Sequence, residues 1–214
     1  MQALAREPST SPKNSAPSVA RPQAPNDIEP ERTASSAAGE FNADDTKSLR
    51  VVELVGDIFD APPNSVIIHA CNCYGHWGAG IALAFKRFYP AAHTCHLQHC
   101  KSRSPDNLIG TAQLISPSST GKRKHYVGCL FTSRRLGKFK DSPTQILSAT
   151  GPSMRDLLEQ IAEEREKGIQ IDEVRICQIN SGLFNVPWKS TKSVLESIEV
   201  SGNMPDVVTV FVRP

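Results

Sequence analysis

Two side chains suited to proton transfer and hydroxyl recognition, His69 and Asn72, stand at the end of an apolar run that starts at Val66. An imidazole can exchange a proton with a phosphate ester, and a carboxamide can both donate to and accept from sugar hydroxyls. Glycines follow at positions 75, 78 and 80, before a small-residue stretch that opens a helix. A strand that enters a helix through a glycine-rich turn exposes unbonded N–H groups at the positive end of the helix dipole. Residues 66–85 therefore predict an anion-binding site.

The elements that must hold this site alternate between strand and helix patterns. Apolar runs predict strands at residues 50–55, from 66 onward, and at 112–116, 125–131, 173–179 and 207–212. Helices are predicted from 79 to the proline at 90 and over 91–102, 143–165 and 187–198, the third of them broken or kinked at residues 151–152. This alternation is typical of an α/β domain whose central sheet is covered by helices on both faces.

A second glycine loop, residues 180–184, follows the strand predicted at 173–179. In α/β sheets, ligands bind beyond the carboxyl ends of the strands, where such loops gather. We therefore expect the two glycine loops to form the walls of one cleft.

Composition excludes several classes of protein. The 214 residues carry a formal net charge of +2, too small to predict nucleic-acid binding, and no apolar run is long enough to span a membrane. Residues 1–15 lack the apolar segment of a secretory signal. Four of the six cysteines lie in or beside apolar strand patterns, where a free thiol behaves as a small hydrophobic group. We expect a reduced, intracellular protein, cytoplasmic, nuclear or both, without disulfides.

Residues 1–48 differ from the rest of the chain in composition. Ser, Pro, Ala, Thr and Asn dominate, and large apolar residues are almost absent. Such a segment cannot bury enough apolar surface to offset its ordering entropy. We predict a disordered tail over residues 1–48 and one folded domain over residues 49–214.

Several motifs, in order, resemble those of a macro domain of the ADP-ribose 1″-phosphate phosphatase branch. They are Gly56-Asp57-Ile58, Ile68-His69-Ala70-Cys71-Asn72-Cys73, Trp77-Gly78-Ala79-Gly80-Ile81-Ala82, Cys129-Leu130-Phe131-Thr132-Ser133, and the run of residues from Gln178 to Trp188. The resemblance implies a three-layer α/β/α fold with a central mixed sheet. It also implies hydrolysis of ADP-ribose 1″-phosphate to ADP-ribose and phosphate. We expect this small molecule as the partner, with no cofactor, metal, nucleic acid or membrane, and a monomeric protein.

The resemblance also assigns binding residues. Asp57 would accept a hydrogen bond from the adenine amino group beside the N–H of Ile58, although a loop aspartate alone is equally typical of a turn cap. Asn72 would contact the distal ribose, and the two glycine loops would enclose the diphosphate. The whole substrate-binding set is Gly56, Asp57, Ile58, Ala70, Cys71, Asn72, Trp77, Gly78, Ala79, Gly80, Ile81, Asn180, Ser181, Gly182, Leu183 and Phe184.

His69 and Asn72 are the predicted catalytic residues. His69 is the first candidate for general acid–base work at the cleft floor, although a histidine on an apolar strand is also typical of a buried core residue. Direct attack by water is the alternative mechanism.

Two other macro-domain reactions depend on carboxylates that this chain lacks. One branch removes ADP-ribose from glutamate with a lysine, present here as Lys86, and an aspartate where Phe184 stands. Another branch has an aspartate where Ala82 stands. The alternatives left open are hydrolysis of an ADP-ribosyl or acyl-ADP-ribose ester, and a reader that binds ADP-ribose without turnover. The glycine spacing is not that of a dinucleotide-dependent oxidoreductase.

Two further clusters have ordinary interpretations. His93, Cys95, His96, His99 and Cys100 lie within one predicted helix, and one helix rarely supplies all the ligands of a zinc site. The basic residues Arg134, Arg135, Lys138 and Lys140 are typical of a solvated loop, with attraction of an anionic ligand as the alternative.

Overall fold

The computed structural model describes residues 46–213 of the protein. Its strands are β1 (Lys47–Ser48), β2 (Arg50–Val55), β3 (Val66–Asn72), β4 (Ala112–Ile115), β5 (Tyr126–Ser133), β6 (Val174–Cys177), β7 (Glu199–Val200) and β8 (Val207–Val212). Its helices are α1 (Gly80–Phe88), α2 (Pro90–Lys101), α3 (Pro105–Leu108), α4 (Pro143–Glu166) and α5 (Trp188–Glu196), with a 3₁₀ turn at Gly137–Phe139.

The main sheet is mixed and six-stranded, in the order β2-β8-β6-β3-β5-β4. All neighbouring pairs are parallel except β4–β5, which is antiparallel. The carboxyl ends of β2, β3, β5, β6 and β8 therefore meet at one edge of the sheet. This edge is where an α/β fold places its ligand site.

Two apolar clusters, one on each face of the sheet, give the fold its three layers. Side chains alternate along β3, so that Val66 and Ile68 join one cluster while Ile67 and Cys71 join the other. Helices α4 and α5 contribute to the first cluster, and α1, α2 and α3 contribute to the second. The predicted three-layer α/β/α fold with a mixed central sheet is confirmed.

Helix α4 runs through residues 151–152 without the predicted break. Pro152 lies inside the helix, and the apolar stripe of Met154 and Leu157 on either side of the next turn is fully buried against the sheet. Ser153 Oγ donates to the carbonyl of Ala149 at 2.6 Å, so a side chain adds a bond within the turn that the proline interrupts. Tertiary packing outweighs the local cost of the proline here.

The folded part starts slightly earlier than predicted. The expected disordered tail, residues 1–48, lies outside the described residues except for its last three. Of these, Lys47 and Ser48 form β1, which pairs antiparallel with β7. Among residues 46–213, no helix combines the length and the apolar character that crossing a bilayer requires.

Candidate functional site

A cavity of about 1080 Å³ opens at the carboxyl edge of the sheet. Five segments surround it, at or beyond the carboxyl ends of parallel strands: Gly56 and Ile58 beyond β2, the chain from Ala70 to Ala84 at and beyond the end of β3, residues 136–137 beyond β5, 177–184 from the end of β6, and 211–213 at the end of β8. The two glycine loops predicted to form one cleft both line this cavity.

Most of the predicted binding residues come together here. Those lining the cavity are Gly56, Ile58, Ala70, Cys71, Asn72, Trp77, Gly78, Ala79, Gly80, Ile81, Asn180, Ser181, Gly182, Leu183 and Phe184. Two predicted site residues, Asp57 and His69, are not among the lining residues. The cavity thus collects the loops as expected, but it does not reach every side chain that the motifs selected.

Asp57 caps a turn beside the cavity. Its Oδ1 accepts a hydrogen bond from the N–H of Phe59 at 3.0 Å, the turn role that a loop aspartate commonly takes. Within residues 46–213, no hydrogen bond involves the adjacent N–H of Ile58, which lines the cavity. The N–H of Ile58 therefore remains available to a ligand.

Asn72 shapes the first loop. Its Oδ1 accepts from the N–H groups of Tyr74 at 3.0 Å and His76 at 3.3 Å, and its Nδ2 donates to the carbonyl of His76 at 2.9 Å. One hydrogen of the amide is left for a ligand. The main role of the side chain is therefore to stabilise the turn formed by residues 72–76.

Helix α1 begins at the cavity wall with its N–H groups unbonded. The N-cap residue, Ala79, has no side chain that can accept from them, and the first turn contains no acidic residue. The N–H groups of Gly80, Ile81 and Ala82 consequently lack an intrahelical acceptor. Together with the helix dipole, they form a site suited to a phosphate oxygen.

The second loop is held open by a buried polar network centred on Asn180. Thr132 Oγ1 donates to Asn180 Oδ1 at 2.9 Å, and Asn180 Nδ2 donates to Thr150 Oγ1 at 2.9 Å. Asn180 itself adopts a positive φ of 65°, which asparagine tolerates better than most residues. This network joins the loop to β5 and α4, the two elements that flank it.

Beyond Asn180, the second loop also presents free donors. Within residues 46–213, no hydrogen bond engages the N–H groups of Gly182, Leu183 or Phe184. An added Cβ at Gly182 would meet nothing within 4 Å, so the backbone there faces open space. The two walls of the cavity therefore offer unbonded N–H groups to the same ligand.

His69 lies one layer below the cavity. Its side chain is fully buried, stacked on Phe85 with ring centroids 4.2 Å apart and edge-on to Trp77 at 4.6 Å. Between this ring and the cavity stands Cys71, whose Sγ lies 3.5 Å from His69 Nε2. The structure therefore differs from the predicted position at the cleft floor, because β3 ends three residues beyond His69 and its last residues cover the imidazole.

A buried group of thiols and imidazoles surrounds Cys71. Cys129 Sγ lies 3.9 Å from His69 Nε2, and the donor atoms of His69, Cys71 and Cys129 all lie within 4.8 Å of one another. Thiolate and imidazole are zinc donors, but three donors are fewer than the four of a closed zinc site. Close packing accounts for the same contacts: Cys71 Sγ is about equally far from Nδ1 (3.6 Å) and Nε2 (3.5 Å) of His69 and so rests on the ring rather than on one nitrogen.

Burial alone would raise the pKa of the Cys71 thiol. The hydrogen bond from Cys129 and the nearby imidazoles of His69 and His96 outweigh it and hold the pKa of Cys71 well below its usual value. The pKa of Cys129 moves the other way, raised by burial and by the neighbouring Cys71. Burial opposes a proton on His96, yet the charge of Cys71 raises the pKa of this histidine.

Several lining residues were not predicted. They are His76, Ala82, Ala84, Leu136, Gly137, Cys177, Gln178, Ile179, Phe211, Val212 and Arg213. The contribution of β8 could have been predicted. A strand over 207–212 that is parallel to its neighbours ends at the same edge of the sheet as they do, beside the site. Residues 136–137 gave no such signal, since their approach depends on the course of the loop after β5.

The remaining sequence candidates lie away from the cavity. Lys86 is exposed on α1. Arg134 pairs with Asp106 at 2.7 Å and Asp141 at 3.0 Å, which fixes the basic loop against the protein. In α2, His96 and Cys100 are buried, with His96 Nε2 at 3.6 Å from Cys100 Sγ.

Comparison with known proteins agrees with this geometry. Residues 68–195 match the sequence model of the macro domain. A protein of Chaetomium globosum named ADP-ribose 1″-phosphate phosphatase is 51% identical over 164 residues, which cover 73% of this chain and 89% of that protein.

Solved structures show the same fold. The macrodomain of Mycobacterium tuberculosis DarG aligns with a TM-score of 0.54 and 21% identity, over 78% of this chain and 98% of that one. Thermosipho africanus DarTG in complex with ADP-ribose aligns with a TM-score of 0.56 and 16% identity, over 77% of this chain and 42% of that one. Sequence match, fold and cleft agree, and the chain belongs to the macro domain family.

Proposed function

We propose that this protein hydrolyses the phosphate monoester of ADP-ribose 1″-phosphate, giving ADP-ribose and inorganic phosphate. The observation that carries the proposal is the pair of unbonded N–H rows, at the start of α1 and at residues 182–184, on opposite walls of one cavity. The name of the Chaetomium globosum relative, which shares 51% identity with this chain, supports the same substrate.

The charge of the cavity suits an anion. Among the described residues that line it none is a carboxylate, and the lining residue Arg213 adds a positive charge. A diphosphate between the two N–H rows would therefore meet donors on both sides. The volume of about 1080 Å³ is large enough for a dinucleotide-sized ligand.

Groups that suit an adenine edge follow β2. Ile58 lines the cavity and its N–H has no partner among residues 46–213, while Asp57 precedes it in the chain and uses Oδ1 to cap the N–H of Phe59. We propose that they bind the adenine edge, as the family resemblance implies, with Asp57 reaching the ligand from just outside the lining residues.

Catalysis would depend on positioning and on electrostatic stabilisation of the phosphoryl group. Uncatalysed hydrolysis of phosphate monoesters is among the slowest of biological reactions, so fixed donors aimed at the transferred oxygens supply a large part of the acceleration. Asn72 would contribute through the loop that its three hydrogen bonds stabilise and through its remaining amide hydrogen, which could meet the ribose. His69 is not a lining residue, and its ring contacts Cys71, which is one.

Removal of ADP-ribose from glutamate is less well supported. Phe184 and Ala82 both line the cavity where other branches place an aspartate, and Lys86 is exposed rather than directed into the cavity. Within residues 46–213, no lining residue replaces the aspartate that would activate water in those branches.

We infer that the protein acts as a monomer inside the cell. The segments that line the cavity lie at the carboxyl ends of neighbouring strands of one sheet, which supports a site built within a single domain. All six cysteines are free, as expected in a reducing compartment.

The test is release of inorganic phosphate from ADP-ribose 1″-phosphate by the purified full chain, with ADP-ribose affinity measured by calorimetry. A size series at Gly182 probes the cavity, because Gly182 lines it and a Cβ added there meets no protein atom within 4 Å. Gly182→Ala should keep most of the affinity and Gly182→Leu should abolish it, with the thermal midpoint little changed. Tight ADP-ribose binding with no phosphate release would make the protein a reader, and release of ADP-ribose from a modified peptide instead would favour the ester hydrolase.

A further inference from the structure

Groups that can transfer a proton are scarce among the residues that line the cavity. Within residues 46–213 the lining contains no carboxylate, and its titratable side chains are Cys71, His76, Cys177 and Arg213. An arginine keeps its proton in proteins, and burial raises the pKa of the Cys177 thiol to about 12. Cys71 is buried within an apolar cluster. His76 is exposed, so it is the lining residue best suited to exchange a proton with a ligand.

The backbone of His76 is fixed by one side chain. Its N–H donates to Asn72 Oδ1 at 3.3 Å, and its carbonyl accepts from Asn72 Nδ2 at 2.9 Å. Because the carboxamide engages both backbone groups, the group that His76 can offer to a ligand is its imidazole. None of the hydrogen bonds within residues 46–213 involves the two ring nitrogens.

The groups that face this imidazole do not compete for its proton. The Tyr74 ring lies parallel to it, with centroids 6.5 Å apart and an interplanar angle of 13°. On α2, the pKa of His93 is lowered by burial, then by the charge of Lys86, and also by the charge of His76. In the described part of the chain no carboxylate pairs with His76. A ligand oxygen would therefore be its first strong acceptor.

The strand order places His76 at the sugar-phosphate end of the cavity. In the sheet, β2 comes first, followed by β8, β6, β3 and β5, so the groups proposed for adenine, at residues 57–58, lie at the β2 end. The N–H rows proposed for the diphosphate begin α1 and occupy residues 182–184, after β3 and β6. A ligand that continues in this direction brings its 1″-phosphate toward the loops after β3 and β5, where His76 and residues 136–137 line the cavity.

We propose that His76 is the general acid that protonates the leaving oxygen, O1″, of ADP-ribose 1″-phosphate. This inference rests on the proposed phosphatase function and deepens it by naming a catalytic residue. The sequence predicted this role for His69, but the ring of His69 is fully buried and does not line the cavity.

The reaction is then a single displacement at phosphorus. The oxygen of a water molecule bonds to phosphorus as the P–O1″ bond breaks, and O1″ keeps the electron pair and takes a proton from the His76 imidazolium. The dihydrogen phosphate that forms returns one proton to the imidazole and leaves as monohydrogen phosphate. Protonation is effective because the loose transition state of phosphoryl transfer places negative charge on the leaving oxygen. General acids of this kind contribute typically about 10²–10⁴-fold to the rate.

Substitution of His76 in the full chain tests this role. We expect His76→Ala to lower kcat for phosphate release by roughly a hundredfold or more. Its affinity for ADP-ribose, measured by calorimetry, should stay within about threefold, because the proton is transferred only in the transition state. The thermal midpoint should change by no more than about 2 °C, since the side chain is exposed.

His93→Gln is the matched control. His93 is a neighbouring histidine on α2 whose pKa responds to the charge of His76, but it does not line the cavity. We expect this variant to keep its rate of phosphate release within about twofold of the wild type.

Chemical rescue separates proton transfer from structure. Imidazole added to His76→Ala should restore phosphate release in proportion to its concentration, whereas pyrazole, which has the same shape but is a much weaker base, should not. His76→Arg supplies a positive charge but keeps its protons, so its rate should remain as low as that of His76→Ala.

Each outcome decides between the proposals. If the wild type releases no phosphate, the proposed function and this inference fail together. If the wild type releases phosphate and His76→Ala keeps its rate, only the general acid is wrong. Full activity of His76→Arg would reduce the role of His76 to that of a positive charge and overturn the inference. An equal loss of rate in His93→Gln, or a loss in His76→Ala that imidazole does not relieve, would also overturn it, because the loop rather than the imidazole would then be responsible.

Discussion

The polar network under the second glycine loop gives a quantitative prediction, made with Asn180→Ala. This substitution removes two buried hydrogen bonds, one accepted from Thr132 and one donated to Thr150, both at 2.9 Å. It also places alanine at a φ of 65°, a conformation in which asparagine is more stable than alanine. Both effects act on the folded state, so both lower the free energy of unfolding.

The expected loss is about 3 kcal/mol. Each side-chain hydrogen bond contributes about 1 kcal/mol net, and the left-handed backbone conformation costs alanine about 1 kcal/mol more. With a urea dependence of roughly 2 kcal/mol per molar for a domain of this size, the unfolding midpoint should fall by about 1.5 M. The affinity for ADP-ribose should fall as well, because residues 181–184 lose the anchor that sets their course.

Asn185→Ala is the matched control. Asn185 also has a positive φ, of 57°, but within residues 46–213 no hydrogen bond involves its exposed side chain. Its substitution should therefore cost only the backbone contribution of about 1 kcal/mol, a midpoint shift of about 0.5 M. Equal midpoints for the two variants in urea titrations followed by circular dichroism would refute the structural role assigned to the network.

Three further substitutions probe packing, capping and protonation. Gly128→Ala would place a methyl group 2.7 Å from Leu157 Cδ2, so we expect about 1–3 kcal/mol of destabilisation and a Tm lower by roughly 2–10 °C in calorimetry. Ser142→Ala removes half of the capping box with Gln145 and should cost about 1 kcal/mol, whereas Ser142→Asp should retain most of that stability in the same assay. Burial and then the charge of Arg103 lower the pKa of His99 from 6.5 to about 4, so the unfolded chain binds this proton first and stability falls as pH drops through that range. His99→Gln should flatten the pH dependence of Tm there, and an unchanged slope would contradict the assignment.

Helices and strands with a clear hydrophobic period could be predicted from the sequence. The strands at 50–55 and 207–212 match β2 and β8 at both ends, because each is rich in valine and bounded by turn signals. The short elements β1, β7 and α3 were missed, since two to four residues are too few to display a period. The uninterrupted course of α4 through Pro152 was missed for the opposite reason: a strong local signal was overridden by burial of the whole helix.

The placement of His69 shows which feature of the site could not be predicted from the sequence. Alternation along β3 puts His69 and Cys71 on the same face of the sheet, so the pattern alone cannot say which of the two meets a ligand. The cavity lies beyond the end of the strand, and the register with β5 shifts between Cys71 and Asn72, so the last residues of β3 turn toward the cavity together. Whether a residue of β3 lines the cavity depends on how close it is to the end of the strand, rather than on the face of the sheet that its side chain occupies. His69, two residues deeper, belongs to the packed layer beneath the site: it is fully buried, and its ring stacks on Phe85.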